Sequence, residues 1–200
     1  MNVRQRKRMP LVPALEVLVP LRGERMVVTT MGAAREWPRL SHHPLDFHYI
    51  PSAMGAAPAL GLGLALAKPL RELLVLNGDG AMLMNIGSLV TIVASRATNI
   101  TLVVLENGVY EVTGGQQTAA AQAAGHAHVD FAAMARAAGF ESVRHYNDLA
   151  TWRREAAAAL ELPGPRLMVL SVEQVADYEL VSPGPIRERI AQFGQALEAV

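Results

Sequence analysis

Cysteine is absent from this chain of 200 residues, and its absence excludes several kinds of site at once. A chain without cysteine has no disulfides, no thiolate-ligated zinc and no iron–sulfur cluster of its own. Proteins without disulfides are typical of reducing compartments. The sequence therefore predicts a cytoplasmic protein.

Charged residues are also scarce. Lys and Arg number 18, Asp and Glu number 18, and together they make up 18% of the chain, against about 25% in typical soluble domains. Because the chain has no net charge, it lacks the positive field that binding to a phosphate backbone requires, and nucleic acid is not expected as a partner. The low share of charge indicates more buried surface than a free monomer hides, which favours a partner chain or a homo-oligomer.

Long hydrophobic runs are missing too, although 51% of the residues are hydrophobic. The longest apolar stretch, residues 81–95, contains Asn85 and is shorter than the roughly 20 residues of a membrane-spanning helix. The basic residues near the N-terminus precede an apolar run broken by prolines, which predicts the solvated end of a helix rather than a secretory signal. No membrane association is expected.

From residue 26 onwards, short β-branched runs alternate with longer Ala- and Leu-rich stretches, which is typical of repeated strand–helix units. Nearly continuous apolar strands indicate a parallel sheet that is covered on both faces. The prediction is an α/β fold with a doubly wound, mostly parallel sheet and helices on both faces. It forms one domain over residues 26–200, after a helical or extended lead-in at residues 1–25. The predicted strands are 26–30, 73–77, 100–106, 142–145 and 167–172.

The helices between these strands are expected to be of two kinds. Two are apolar nearly all round and are predicted to be buried on both sides, namely 53–67 and 81–95, whereas 149–160 and 186–197 are amphipathic. Two further segments, 37–52 and 113–127, lack any periodicity and are predicted to be loops. Loops of this length in a compact domain are usually functional or mobile.

A candidate binding site lies at the ends of two predicted strands. Gly78, Asp79 and Gly80 follow one strand, and Asn107 follows the next. The 28 residues from Asp79 to Asn107 are about the length of one strand–helix–strand unit, so both side chains should face the crevice at the carboxyl edge of the sheet. A carboxylate, an amide oxygen and a nearby backbone carbonyl are oxygen ligands that suit Mg²⁺. Glycines and the start of a helix near Ala81 suit an anion, so the pattern predicts a magnesium-bridged diphosphate.

These residues resemble the motif of thiamine-diphosphate enzymes, which begins with Gly-Asp-Gly and ends with a pair of asparagines. The resemblance implies thiamine diphosphate and Mg²⁺ as cofactors, and Asp79, Asn107 and the main-chain oxygen of Val109 as metal ligands. Ala81 stands where the family often has serine, and Glu106 stands where it has the first asparagine of the pair.

The resemblance extends to the segments on either side of this motif. Upstream, Met54 takes the place of the large apolar residue that wedges the cofactor into its bent shape; the alternative is a core methionine at the start of a helix. Downstream, the Thr-Gly-Gly-Gln run is similar to phosphonopyruvate and sulfopyruvate decarboxylases and implies contact with the thiazolium and the substrate. The implied cofactor contacts are Gly32, Ala53, Met54, Gly55, Gly78, Asp79, Gly80, Ala81, Asn107, Val109 and Tyr110, and the implied catalytic residues are Thr113, Gly114, Gly115, Gln116 and His48.

Two of these assignments remain open at the level of sequence. Gly32 follows the first strand and either approaches the diphosphate or belongs to an ordinary strand–helix turn. Among the histidines, which titrate near neutral pH, His48 is favoured as an acid or base because it is nearest to Met54. No spacing in the sequence requires any histidine in that role.

The resemblance covers only the diphosphate-binding half of such an enzyme. A second domain, which supplies a glutamate to the pyrimidine, is not accommodated in these 200 residues, so the resemblance implies a β-type subunit that works with a separate pyrimidine-binding chain. The expected reaction is decarboxylation of a small 2-oxo acid, such as 3-sulfopyruvate or 3-phosphonopyruvate, to the corresponding aldehyde and CO2. The alternatives are a carboligase similar to acetolactate synthase and a non-catalytic module that binds thiamine diphosphate.

Overall fold

A computed structural model describes residues 7–122, 129–175 and 184–199. His126 and His128, two of the loop histidines, lie outside the described residues. Strands and helices alternate along most of the chain, with a 3-10 turn at Glu111–Thr113. The strands are β1 (Met26–Thr29), β2 (Asp46–His48), β3 (Leu73–Gly78), β4 (Ile100–Glu106), β5 (Val109–Tyr110), β6 (Gln116–Gln117), β7 (Ser142–Tyr146) and β8 (Arg166–Ser171). The helices are α1 (Leu11–Glu16), α2 (Met31–Leu40), α3 (Ala57–Ala67), α4 (Asp79–Met84), α5 (Ser88–Ser95), α6 (Ala119–Gln122), α7 (Phe131–Ala138), α8 (Leu149–Leu160) and α9 (Ile186–Glu198).

Six strands form one sheet in the order β2-β1-β3-β4-β8-β7, and every neighbouring pair is parallel. The remaining two, β5 and β6, form a small antiparallel pair. From β1 the chain goes to β2 on one side and then to β3 on the other. The order of the strands therefore reverses between β1 and β3, which is where open α/β sheets form a ligand crevice at their carboxyl edge.

Both faces of the sheet are covered, as the sequence predicts. On one face the side chains of alternate strand residues pack with α3, α5, α7 and α9. On the other face they pack with α1, α2 and α8, and Trp37 and Trp152 are both fully buried there. The indole N–H of Trp152 donates to the carbonyl of Ala14 at 2.9 Å, which ties α8 to α1. The predicted fold class is confirmed.

Two expectations about the bounds of helices and loops were wrong. The stretch 81–95 is not one helix, because α4 ends at Met84 and α5 begins at Ser88, with Asn85 and Gly87 in the break. The segment 37–52 is not a continuous loop, because it holds the end of α2 and the whole of β2. Tertiary contacts of Asp46 account for the formation of β2. Its carboxylate accepts hydrogen bonds from Arg22 at 2.9 Å and from the indole of Trp37 at 3.0 Å.

The expected burial of α3 on both sides was also wrong. Its first turn begins at Ala57, and one face packs on the sheet through Ala57, Leu62 and Ala65. The opposite face is open, and Leu66 is 54% exposed on it. Among the described residues, no helix is both long enough and apolar enough to cross a membrane.

Candidate functional site

A cavity opens at the carboxyl edge of the sheet, where the strand order reverses. Its walls come from the segments after β1, β3 and β4, together with the loop that carries Met54 and the start of α1. The lining residues include ten that the sequence singles out: Gly32, Met54, Gly78, Asp79, Gly80, Ala81, Asn107, Val109, Tyr110 and Thr113.

Asp79 and Asn107 meet at this edge because their strands are neighbours. Strands β3 and β4 pair in parallel, with Gly78 opposite Leu105. The Asp79 carboxylate accepts hydrogen bonds from the backbone N–H groups of Gly80 and Gly108, each at 2.8 Å. The amide oxygen of Asn107 accepts the N–H of Val109 at 3.0 Å. The predicted metal ligands therefore lie on two backbone segments that are joined by the hydrogen bond from Gly108 to Asp79.

The carboxylate of Asp79 is buried, with 1% of the residue exposed. Burial raises the pKa of Asp79 to about 6, against the opposing effect of the two backbone hydrogen bonds, and the negative charge of Glu106 adds to the rise. The guanidinium of Arg8 lowers the pKa only weakly, and it lies beside Gly108. A cation bound between Asp79 and Asn107 would stabilise the ionised carboxylate that burial disfavours.

Gly80 allows the closest packing in the site. A methyl group at Gly80 would lie 2.5 Å from Cε1 and 2.6 Å from Cδ1 of the Tyr110 ring, so the ring rests directly on the glycine. At Gly78 the same position is open space. The two glycines that flank Asp79 therefore have different roles, one in packing against Tyr110 and the other in leaving room above the cavity.

Met54 projects from a loop that is fixed to α4. Gly55 has a φ of +83°, a left-handed conformation that glycine adopts without strain, and its carbonyl accepts the side-chain N–H of Asn85 at 3.0 Å. A Cβ atom at Gly55 would be 3.1 Å from the Ala81 carbonyl oxygen. The neighbouring Met54 lines the cavity and is 48% exposed. This placement differs from that of a core methionine and suits a wedge.

Six residues singled out from the sequence do not line the cavity. Gly55 and Ala53 lie on either side of Met54 in the loop that carries it, hereafter the wedge loop; Gly55 is buried there and Ala53 is exposed. Gly114, Gly115 and Gln116 are exposed in the connection from β5 to β6. The ring of His48 lies at 3.0 Å from the hydroxyl of Thr29, and burial lowers its pKa. The structure thus does not bring His48 into the cavity, because it ends β2, the edge strand next to β1.

Several lining residues were missed in the sequence. Leu11 and Val172 reach the cavity because Met9 forms a bridge with Val172, which brings the N-terminal segment alongside β8. Met84 lies there because α4 ends early. Glu111 was overlooked although it stands two residues before the Thr-Gly-Gly-Gln run, and its carboxylate was the one available signal. Met31, Ala33, Leu105 and Val112 complete the lining.

Glu106, the residue that departs from the asparagine pair, points away from the cavity. Its carboxylate accepts the Ser171 hydroxyl at 2.7 Å, and the same hydroxyl lies 2.8 Å from the His145 ring. Successive residues of a strand point to opposite faces of the sheet. The glutamate is therefore stabilised by β8 and β7 and leaves the Asn107 side free.

Comparison with known families agrees with this geometry. The sequence profile described as "Thiamine pyrophosphate enzyme, C-terminal TPP binding domain" matches residues 28–170. The chain belongs to this family. Thiamine pyrophosphate, also called thiamine diphosphate, is thus the cofactor of the family to which this fold and cavity belong.

The relatives of the chain differ in how much of their own length it covers. Phosphonopyruvate decarboxylase of Streptomyces viridochromogenes is 38% identical over 163 residues, which are 80% of this chain and 39% of that protein. Sulfopyruvate decarboxylase subunit beta of Methanothermobacter thermautotrophicus is 35% identical over 155 residues, 77% of either chain. The chain thus spans less than half the length of its Streptomyces relatives.

A solved structure supports the fold. An enzyme isolated from Mycobacterium smegmatis and assigned as thiamin diphosphate-dependent superposes with a TM-score of 0.68 at 20% identity, over 87% of this chain and 34% of that one. At this level of identity the likeness concerns the fold alone.

The residues of the cavity fit the cofactor group. The buried carboxylate of Asp79, with no cationic side chain bonded to it among the described residues, suits a divalent cation. Gly78 leaves open space beside it for a phosphate. No cluster of three or more His, Cys, Asp or Glu occurs in the described ranges, so a metal here would depend on one carboxylate supplemented by amide, carbonyl and phosphate oxygens, as is usual for Mg²⁺.

Proposed function

We propose that this chain is the diphosphate-binding subunit of a 2-oxo acid decarboxylase that depends on thiamine diphosphate and Mg²⁺ and works with a separate pyrimidine-binding chain. The observation that carries this proposal is the single cavity in which Asp79, Asn107 and Val109 meet Met54 at the reversal of strand order. The match to a relative named subunit beta, over 77% of both chains, supports the division into two chains.

In this proposal the chain holds Mg²⁺ through the Asp79 carboxylate, the Asn107 amide oxygen and the Val109 carbonyl. The backbone at Gly78, Gly80 and Ala81 lies against the diphosphate. The helix α4 has only six residues, so direct contact with these backbone groups and the metal counts for more than its dipole. Gly32, which also lines the cavity, offers a second place where backbone can approach the diphosphate.

Thiamine diphosphate, when bound, supplies a nucleophilic carbon that adds to the 2-oxo group and accepts electrons as CO2 leaves. The chain's part is to fix the geometry of the site. Met54 is placed to hold the cofactor bent, and Tyr110 is held by its packing on Gly80. Val112 and Leu105 make the cavity wall apolar and exclude water from it. Thr113 lines the cavity beside them and is assigned to substrate contact.

The substrates that we propose are 3-sulfopyruvate or 3-phosphonopyruvate, each converted to the corresponding aldehyde and CO2. The names of the relatives at 35 to 38% identity support this class. The decisive experiment isolates the tagged chain from its native cells together with whatever chain copurifies. CO2 release from these two acids and from pyruvate is then compared with that of the tagged chain expressed alone.

Decarboxylation by the complex, with none by the chain alone, is the expected result. An Asp79→Asn complex should lose activity while it keeps its subunit composition. Full turnover by the chain alone with Mg²⁺ and cofactor would refute the division into two chains. Carboligated products from pyruvate plus an acceptor aldehyde would instead favour the acetolactate-synthase-like alternative, and cofactor binding without turnover in the complex would favour a non-catalytic module.

The partner chain is proposed to cover the open face of α3 and the adjacent α5. Leu66 on α3 and Val90 on α5 are 54% and 59% exposed, and Met54 and Met84 at the rim of the cavity are 48% and 47% exposed. Since α3 starts directly after the wedge loop, this apolar surface continues from the cavity. Leu66→Glu should abolish copurification of the partner. Ala157→Glu, which lies on the exposed side of α8 on the other face of the sheet, should not. If the partner still copurifies with both variants, this assignment is contradicted.

A further inference from the structure

Glu111 is the one carboxyl group besides Asp79 among the described residues that line the cavity. It starts the 3-10 turn that follows the metal loop. Its Oε2 atom lies only 2.7 Å from the position that a Cβ atom on Gly32 would occupy, so the carboxylate rests on the bare backbone of that glycine. Its Oε1 atom accepts the backbone N–H of Val175 at 3.3 Å.

The place occupied by this carboxylate is one that favours an anion. Gly32 is the second residue of α2, a helix of ten residues, and the first turn of a helix carries N–H groups without helical partners. The preceding Met31 has a φ of +53°, uncommon for a residue with a side chain, so the backbone is held in a strained conformation at this point. Strain of this kind is concentrated at ligand sites.

A carboxylate and a diphosphate cannot both occupy this place. They would compete for the same space, and like charges at contact distance repel strongly in a partly buried cavity. The tether that keeps Glu111 in position is weak, because its hydrogen bond to Val175 is long and no cationic partner for it is found in the described part of the chain.

We propose that Glu111 sets the affinity of this chain for the cofactor: without cofactor its carboxylate fills the place of the diphosphate on Gly32, and binding displaces it and releases the Val175 N–H. This inference rests on the proposed function, since it assumes that the cavity takes a diphosphate. Displacement couples the turn Glu111–Thr113 and the backbone at Val175 to occupancy of the cavity. The side chain of Glu111 thereby competes directly with the ligand.

The first test measures binding of inorganic diphosphate with Mg²⁺, and of thiamine diphosphate with Mg²⁺, by calorimetry on the full chain. Glu111→Gln keeps the size of the side chain and removes its charge, and Glu111→Ala removes the side chain. Both should bind either ligand about five- to tenfold more tightly than the original chain. Glu173→Gln is the matched control, because Glu173 is exposed on the same segment as Val175 and does not line the cavity; its affinity should change less than about twofold.

The second test follows hydrogen exchange at the Val175 amide. Magnesium with diphosphate should speed its exchange in the original chain, and in Glu111→Ala exchange should already be fast without ligand. An unchanged or weaker affinity in either Glu111 variant, an equal gain in Glu173→Gln, or slower exchange at Val175 with ligand would overturn the inference. If the original chain binds and the variants bind alike, this inference alone fails. If none of the proteins binds either ligand, the proposed function fails with it.

Discussion

The two glycines that flank Asp79 should respond in opposite ways to alanine. At Gly80 an added methyl group would lie 2.5 Å from the Tyr110 ring, and at Gly78 it would meet nothing within 4 Å. Gly78 also has φ −75° and ψ 154°, a conformation that alanine adopts readily. The chemical change is the same, and the two positions are two residues apart, so any difference must come from local packing.

The expected magnitudes follow from these distances. Favourable carbon–carbon contacts lie at about 3.5–4.0 Å, so Gly80→Ala brings the methyl group about 1 Å too close to a ring. The backbone of Tyr110 has little freedom to shift away, because its carbonyl accepts the Gly115 N–H at 3.0 Å and the residue pairs with Gln116. Overpacking of this kind costs about 1–3 kcal/mol. Gly78→Ala should instead stabilise the fold by about 0.4–1 kcal/mol, because the unfolded chain loses freedom.

Thermal and urea unfolding of the cofactor-free protein would measure both effects. For a domain of this size, 1 kcal/mol corresponds to about 2–4 °C in Tm, so Gly80→Ala should melt several degrees below Gly78→Ala. Truncation of the ring in Tyr110→Ala should remove most of the penalty of Gly80→Ala when the two are combined. Equal melting temperatures for the two single variants, or a penalty that persists without the ring, would refute this reasoning.

Three further predictions concern carboxylates in different environments. Burial raises the pKa of Asp79 to about 6. The stability that the protonated carboxyl group gives to the metal-free fold is therefore fully present below its unfolded pKa near 4 and is lost as pH rises through 6. Urea unfolding in EDTA should show a loss of up to about 3 kcal/mol over this range, and Asp79→Asn should not show it. Asp46→Ala should cost about 3–5 kcal/mol because it leaves the buried Arg22 guanidinium without its carboxylate, and a cost below about 1 kcal/mol in urea unfolding would contradict the buried pair. Asp130→Ala should cost about 1 kcal/mol at pH 7, since this carboxylate accepts the Ala133 N–H at the start of α7 and that bond lowers its pKa. The cost should be fully present above the unfolded pKa of the carboxyl group and be lost as pH falls through its lower folded pKa; a cost in unfolding curves that does not depend on pH would argue against the cap.

The order and type of most core elements could be predicted from the sequence because their patterns are local. The buried runs of β3, β4 and β8 are apolar at nearly every position, and such runs are typical of a parallel sheet covered on both faces. By contrast, β2 has three residues and lies in a proline-containing stretch, and its first residue, Asp46, is polar and accepts hydrogen bonds from Arg22 and Trp37. Contacts between residues distant in sequence decide such an element, and a periodicity argument does not detect them.

The same division explains which part of the candidate site was predictable. Asp79 and Asn107 follow strands whose neighbourhood is determined by the handedness of the crossover, so their meeting could be inferred from spacing. Glu111 lies in the cavity only because the 3-10 turn packs on α2, and Leu11 only because Met9 pairs with Val172.

The low share of charged residues is matched by an uncovered apolar face of α3. Within the described residues, α3 leaves one face uncovered although its sequence is apolar nearly all round, and Leu66 on that face is 54% exposed. The helix begins two residues after Gly55, so the uncovered face continues from the wedge loop where Met54 stands half exposed at the mouth of the cavity. In the proposed function Met54 bends the cofactor, and a second wall opposite it would keep water from the reacting carbon. The proposed second chain, packed across both, would supply the cover of the helix and the wall of the cavity together.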